Sequence, residues 1–391
     1  MSFREHAARW LDENAPVELL GTATSPFQGH WGGARGGFPS EAHRLWFERS
    51  LARGWTAPGW PTTYGGGGLS VTDHRTLLEL LRERGLPMPL VGFGLTMIGP
   101  ILLAEGDEAQ KQAHLPAIVR GEVRWCQGYS EPDAGSDLAS LRTRAVQPEG
   151  ADHLVVTGQK VWTSHAELAD WIFCLVRTDP NVKKQEGISF VLIDMTTPGI
   201  RVRPILLISG QSPFCEVYLD EVPVPLTNVV GGIHRGWSVA KSLLRHERNM
   251  VGESVASGGS RPESLRDYSV RDHALSTVGA TPDGALADPL LRDAIADNEM
   301  ERECLQLTLK RSRDRVATGA APGPESSIMK VVGTELNQRF WELAMRVAGP
   351  AGVDDEVLAS AWLRSRGNTI EGGTTEVQLN IVAQTVLGLP R

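Results

Sequence analysis

Residues 170–195, DWIFCLVRTDPNVKKQEGISFVLIDM, hold two apolar runs rich in β-branched and aromatic residues, separated by a polar turn marked by Pro180 and Gly187. Each run is too short for a buried helix and is bounded by turn residues, so the pair predicts two strands. Outward from it the same texture recurs in VRWCQGY (123–129), LRTRAVQ (141–147), HLVVTG (153–158), IRVRPILL (200–207) and CEVYLDEVPV (215–224). Many short strands in one stretch predict an antiparallel β-barrel or sandwich over residues 123–233.

Both flanks change period. In EAHRLWFERSLARGW (41–55) and VTDHRTLLELLRERG (71–85) apolar residues recur at three and four, the repeat of half-buried helices. The same repeat returns over 290–314, 325–349 and 375–388. A Gly-, Ser-, Pro- and Asp-rich stretch at 257–288 reads as a long irregular loop. The fold class expected is therefore α+β and multidomain: a helical domain over 1–122, the β domain over 123–233 and a C-terminal four-helix bundle over 234–391.

The chain's 391 residues are enough for large apolar cores, and 41% hydrophobic with 22% charged residues is ordinary globular composition. Forty-seven acidic against 39 basic residues give a net charge of −8, which argues against a general nucleic-acid binder, since that function needs a basic face. The four cysteines stand far apart without zinc-ligand spacing, which predicts no metal site and a reduced, cytoplasmic setting. No apolar run has the length of a membrane span, and the N-terminal MSFREHAARWLDENAP lacks the apolar core of a signal peptide.

Four segments could carry chemistry. In SEPDAGSDL (130–138) the small residues Ala134 and Gly135 could expose backbone N–H groups to an anion, with Ser130 and Ser136 adding hydroxyls; the plain alternative is an Asp/Gly turn. In GQKVWTSHAELADW (158–171), where Gly158 is expected to end one strand, Trp162 beside Thr163 and Ser164 suits a planar ring needing one stacked face, or is simply a core tryptophan. In GWSVAKSLLRHERNMV (236–251) Glu247 falls on the stripe of Ala240, Leu243, Leu244, Met250 and Val251. A carboxylate facing apolar surroundings either pairs with a cation such as Arg248 or has a raised pKa suited to accepting a proton. In GNTIEGGTTEVQLNIVAQ (367–384) Gly372 and Gly373 interrupt the pattern, and Thr374 or Thr375 can cap the helix that follows.

Taken together and in this order, SEPDAGSD, GQKVWTS, EVYLDEVPVP, GIHRGW and TIEGGTTEVQLNIVAQTVLGLPR resemble the acyl-CoA dehydrogenase family over nearly the whole chain. The resemblance implies FAD as cofactor, an acyl-CoA as substrate, an electron-transferring flavoprotein as electron acceptor and a homo- or heterotetramer. Carried over by position, Tyr129 and Ser130 would contact the flavin ring, and Gly135 and Ser136 the phosphate-bearing parts of cofactor or substrate. Trp162 would lie against the isoalloxazine with Ser164 near its reactive nitrogen, while Thr374 and Glu376 would touch the adenine side. Arg248 would contact substrate.

The family places its catalytic glutamate in one of two positions. One is Gly372 here, which cannot take a proton, although its backbone N–H could hold the thioester carbonyl. The other is Glu247, which makes Glu247 the expected α-proton base and neighbouring Glu371 the reserve. Two departures stand out: the segment 271–294 lacks the family's Arg-x-x-Phe-Gly element, and RVAGPAG (346–352) replaces a Gln and Gly-Gly pattern. Both elements serve the cofactor site across a subunit boundary in the family, so the departures point to a different partner chain completing that site. A same-fold flavin oxidase or monooxygenase, or a non-catalytic subunit of a heteromer, are the competing expectations.

Overall fold

A computed structural model describes residues 2–23, 28–243, 263–265, 268–317 and 325–390. The chain divides into two compact bodies, Met1–Ile205 with Ser212–Glu247, and Leu206–Gln211 with Arg248–Arg391.

In the first body, among the described residues, five α-helices precede the strands: α1 (Phe3–Asn14), α2 (Glu41–Ala52), α3 (Val71–Glu83), α4 (Gly99–Glu105) and α5 (Glu108–Val119). Their starts follow from local chemistry. Ser2 and Asp107 form capping boxes with Glu5 and Gln110, and Ser40 and Ser70 accept the N–H of His43 and Asp73, which satisfies donors a helix start leaves open. Leu77, Leu80 and Leu81 of α3 bury one face against Leu11 of α1 and Trp46 of α2, as their three- and four-residue spacing requires.

The eight strands among the described residues are β1 (Trp125–Gly128), β2 (Arg144–Val146), β3 (His153–Ser164), β4 (Trp171–Arg177), β5 (Ile188–Asp194), β6 (Ile200–Ile205), β7 (Phe214–Pro225) and β8 (Val229–Val230). They form one sheet in the order β6-β7-β3-β2-β4-β5-β8, with β1 also pairing β4. Most neighbours run antiparallel; β1 and β2 each pair β4 in parallel. The two apolar runs of 170–195 become β4 and β5, paired from Trp171↔Asp194 to Arg177↔Ile188, and their central residues are buried throughout. Gly158 does not end a strand, contrary to the sequence expectation. It lies inside β3, where a Cβ would stand 2.5 Å from the Thr143 hydroxyl, so the close passage of β2's approach demands glycine.

Helices and sheet share this body. The buried Gln110 amide, having closed its own helix cap, donates to the carbonyls of Thr227 (2.8 Å) and Val229 (3.0 Å) and so ties α5 to the last strand. Residues 236–243 are helical, α6, with Val239, Ala240 and Leu243 buried.

The second body holds α7 (Val270–Thr277), α8 (Pro289–Ala317), α9 (Glu325–Ala348), α10 (Ala351–Asp354), α11 (Glu356–Ser365) and α12 (Thr375–Ile381). Its main core joins Leu291 and Ile295 of α8, Phe340, Trp341 and Ala344 of α9, and Leu358 of α11. The irregular loop expected over 257–288 is corrected in part. Val270–Thr277 is helical because Ser269 caps it, accepting the Asp272 N–H at 3.1 Å, and Val270 and Ala274 have a core to bury into.

Candidate active site

Two groups of the candidate residues have described geometry, one in each body. In the first body β1 runs into the turn at 129–136, and the Val161 N–H of β3 donates to the Ser130 carbonyl at 2.9 Å. The SEPDAGSD and GQKVWTS segments are therefore adjacent. Tyr129 is buried with its ring edge-on to Phe173 and Phe190, Ser130 is half-buried, and Gly135 and Ser136 are exposed at the turn.

Trp162 owes its position to a register irregularity. Lys160 pairs with Val217 and Thr163 with Cys215, so two residues of β3, Val161 and Trp162, face one residue of β7. This β-bulge puts Trp162 at φ 62°, a left-handed conformation that L-residues disfavour by roughly 1–2 kcal/mol. The indole stands 55% exposed while Lys160 and Thr163 on either side are fully buried. Ser164, half-buried, closes the strand next to it. An exposed indole flanked by the half-buried hydroxyl residues Ser130 and Ser164 is a donor set that fits a planar heteroaromatic ring.

Beneath this surface lies a buried ion pair. Lys160 Nζ donates to Glu131 Oε1 at 2.7 Å and to the Tyr129 carbonyl at 3.2 Å. The Glu131 carboxylate also accepts the Arg142 and Thr143 backbone N–H groups at 2.6 and 2.9 Å. Burial pushes the Glu131 pKa up, but the Lys160 charge and these hydrogen bonds outweigh it and hold the group below the ordinary carboxylate range. Neither residue was singled out from sequence. The available signal was a lysine on the inward register of β3, in step with Leu154 and Val156, where an unpaired cation would be very costly.

In the second body the loop 367–374 connects α11 to α12. Gly372 and Gly373 have φ of 65° and 94°. Gln378, almost fully buried, donates its Nε2 to the Gly372 carbonyl at 3.0 Å. Of the two threonines that could cap α12, Thr374 does so, accepting the Val377 N–H at 3.3 Å. Glu376 is exposed in the first turn, where its own backbone N–H and the Thr374 hydroxyl lower its pKa. The Thr375 hydroxyl and Gln378 Oε1 are buried without a hydrogen-bond partner among the described residues.

Glu371 is committed at both oxygens. Oε2 accepts Arg364 Nη2 at 2.7 Å and Oε1 accepts Asn368 Nδ2 at 2.6 Å. Glu247 and Arg248 lie outside the described residues.

The sequence matches three family models: "Acyl-CoA dehydrogenase, N-terminal domain" over residues 14–122, the corresponding "middle domain" over 126–222 and the "C-terminal domain" over 234–387. The chain belongs to the acyl-CoA dehydrogenase family. It is thereby an oxidoreductase enzyme of three-part architecture, helical, β-sheet and helical, as the order of sequence periods predicts. Acyl-CoA dehydrogenase IpdE1 of Mycobacterium tuberculosis is 36% identical over 400 residues, covering 100% of this chain and 97% of that protein. Acyl-CoA dehydrogenase FadE34 of the same organism is 37% identical over 345 residues; the match takes in 86% of this chain and 45% of FadE34. Among solved structures, the Tcur3481-Tcur3483 steroid ACAD superposes with a TM-score of 0.72 at 28% identity, covering 100% of this chain and 96% of that one. The ChsE4-ChsE5 complex from Mycobacterium tuberculosis gives 0.69 at 27% identity, with 100% and 97% covered. No described helix is long and apolar enough to cross a membrane.

Proposed function

We propose that this member of the acyl-CoA dehydrogenase family oxidises the α,β-carbon bond of an acyl-CoA thioester to the trans-2-enoyl-CoA, with FAD as cofactor and Glu247 as the base. FAD when bound supplies the acceptor for the β-hydride. Everything else falls to the chain. Tyr129, Ser130, Trp162 and Ser164 bind the ring side, Gly135 and Ser136 the phosphate-bearing parts, and Thr374 and Glu376 the adenine side. Arg248 contacts the substrate.

The observation that carries the choice of base is the double engagement of Glu371. A carboxylate locked between a guanidinium and an amide is poorly placed to take a carbon-bound proton, and Gly372 has no side chain to do so. That leaves Glu247, which the sequence spaces with the apolar residues Ala240 and Leu243. A thioester α-proton is too weak an acid for a carboxylate unless the developing charge on the carbonyl oxygen is held, and the Gly372 backbone N–H supplies a donor for it. Gln378 serves that step by fixing the loop through the Gly372 carbonyl.

For the substrate, one solved relative, the Tcur3481-Tcur3483 steroid ACAD, supports an acyl thioester borne on a steroid-derived ring system. An electron-transferring flavoprotein takes the electrons onward, and the reduced cysteines, three buried and one exposed, fit a cytoplasmic setting. The assembly is a tetramer in which a related chain completes the cofactor site, a reading supported by the two departures at 271–294 and 346–352 and by the neighbouring ChsE4-ChsE5 complex. Anaerobic mixing of the purified protein with straight-chain and steroid-derived acyl-CoAs tests the reaction: bleaching of the flavin band by a steroid-derived thioester is expected, and no bleaching by any acyl-CoA refutes the assignment. Full flavin occupancy and activity of the chain purified alone refutes the heteromer.

A further inference from the structure

The Lys160–Glu131 pair is a poor device for stability. Withdrawing two charges from water costs more than their attraction commonly returns, and well-packed apolar replacements of buried pairs are often as stable or more so. Lys160 is fully buried and Glu131 8% exposed, at a site where leucine or methionine would suit the surrounding sheet. What the pair supplies is geometry. Lys160 reaches the Tyr129 carbonyl, and Glu131 gathers the backbone of Arg142 and Thr143, so one ion pair fixes the end of β1, the approach to β2 and the middle of β3. The turn closes on itself through reciprocal backbone bonds between Glu131 and Ala134, at 3.0 and 3.1 Å. Ser130 adjoins Glu131, and Trp162 lies two residues beyond Lys160, where the bulge begins.

We infer that Lys160 and Glu131 are positioning residues of the flavin site, which set the spacing between the Tyr129–Ser130 backbone and the Trp162–Ser164 bulge on which the isoalloxazine rests. The inference rests on the proposal that this surface takes FAD. Neither side chain touches the cofactor; each acts through the backbone it holds.

The test compares the wild-type holoenzyme, purified with its native partner chains, with Glu131→Gln and with the double variant Lys160→Met/Glu131→Gln, which leaves no orphan charge. Readouts are flavin occupancy, the shape and position of the flavin absorption bands, kcat, KM and melting temperature. Expected for the double variant is a near wild-type melting temperature with shifted flavin bands, and kcat reduced about tenfold or more while KM changes less than about threefold. Wild-type bands, occupancy and kcat overturn the inference even if the melting temperature falls, because the pair would then be merely structural. Should the double variant not fold, the isosteric Glu131→Gln carries the same decision. A wild-type holoenzyme without flavin overturns the functional proposal and this inference together, whereas flavin in the wild type with unaltered bands in the variants overturns this inference alone.

Discussion

Gln378 and Gly372, six residues apart, are joined by a hydrogen bond of 3.0 Å, and the Gln378 nitrogen that makes it occupies space a Cβ on Gly373 would enter. Gly373 also sits at φ 94°. Gly373→Ala therefore meets both backbone strain and a clash, and should cost about 1–3 kcal/mol with loss of turnover. Gln378→Leu leaves the Gly372 carbonyl without this donor and should cost about 1–3 kcal/mol. Urea denaturation midpoints with steady-state rates decide both.

Glu371→Gln removes one charge of a half-exposed pair with Arg364, so its stability cost should stay within about 1 kcal/mol. Its turnover should remain within about tenfold of wild type, since the amide keeps one acceptor oxygen. Glu247→Gln should keep the yellow flavin spectrum and lose about a thousandfold in turnover, the scale of a lost general base. Unchanged turnover in Glu247→Gln would transfer the role to Glu371.

Trp162→Gly separates fold from function. Glycine adopts φ 62° without strain, a relief of about 1 kcal/mol that partly offsets its greater chain entropy and the lost edge contact with Phe214, so stability should fall by no more than about 2 kcal/mol. Flavin affinity should fall at least about tenfold with the loss of the stacking ring. Thermal melts of the flavin-free protein and fluorescence titration with FAD report the two effects; a large loss of stability would show the indole to be structural.

Stability should decline in two acid steps. His30, stacked on Phe38, and His114, edge-on to Trp125 and Trp171, are buried, and burial lowers both pKa values. The unfolded chain protonates first, so their contribution is full above about pH 6.5 and is lost as pH falls through that value towards the folded ones. Glu131, with its folded pKa lowered, contributes above its unfolded value of about 4.5 and loses that contribution as pH falls further. His114→Phe should make the first step smaller and Glu131→Gln the second; denaturation midpoints from pH 7 to 3 would show it.

Much of the fold was legible because it follows from period alone. The residues of β4 and β5 declare a buried strand pair, and those of α3 a half-buried helix, wherever the rest of the chain goes. Gly158 misled because a glycine forced by a neighbouring strand looks identical in sequence to one ending a strand. The site was harder. The position of Trp162 depends on a slip of one residue against β7, the Lys160–Glu131 pair spans 29 positions, and the Arg364 clasp on Glu371 turns on where one loop folds back. These are tertiary facts without a local signature. α7 escaped notice because the polar residues around Ser269 serve equally well as a loop or as a helix cap.

The two ends of the sheet bear on how the protein behaves when crowded. β8 spans only Val229–Val230, and β6 carries the exposed Arg201, Arg203 and Pro204, the last without an N–H to offer. An incoming strand would meet too short a template at one side and charge with a missing donor at the other. The β6 and β8 edges are thus poor templates for fibrous self-association.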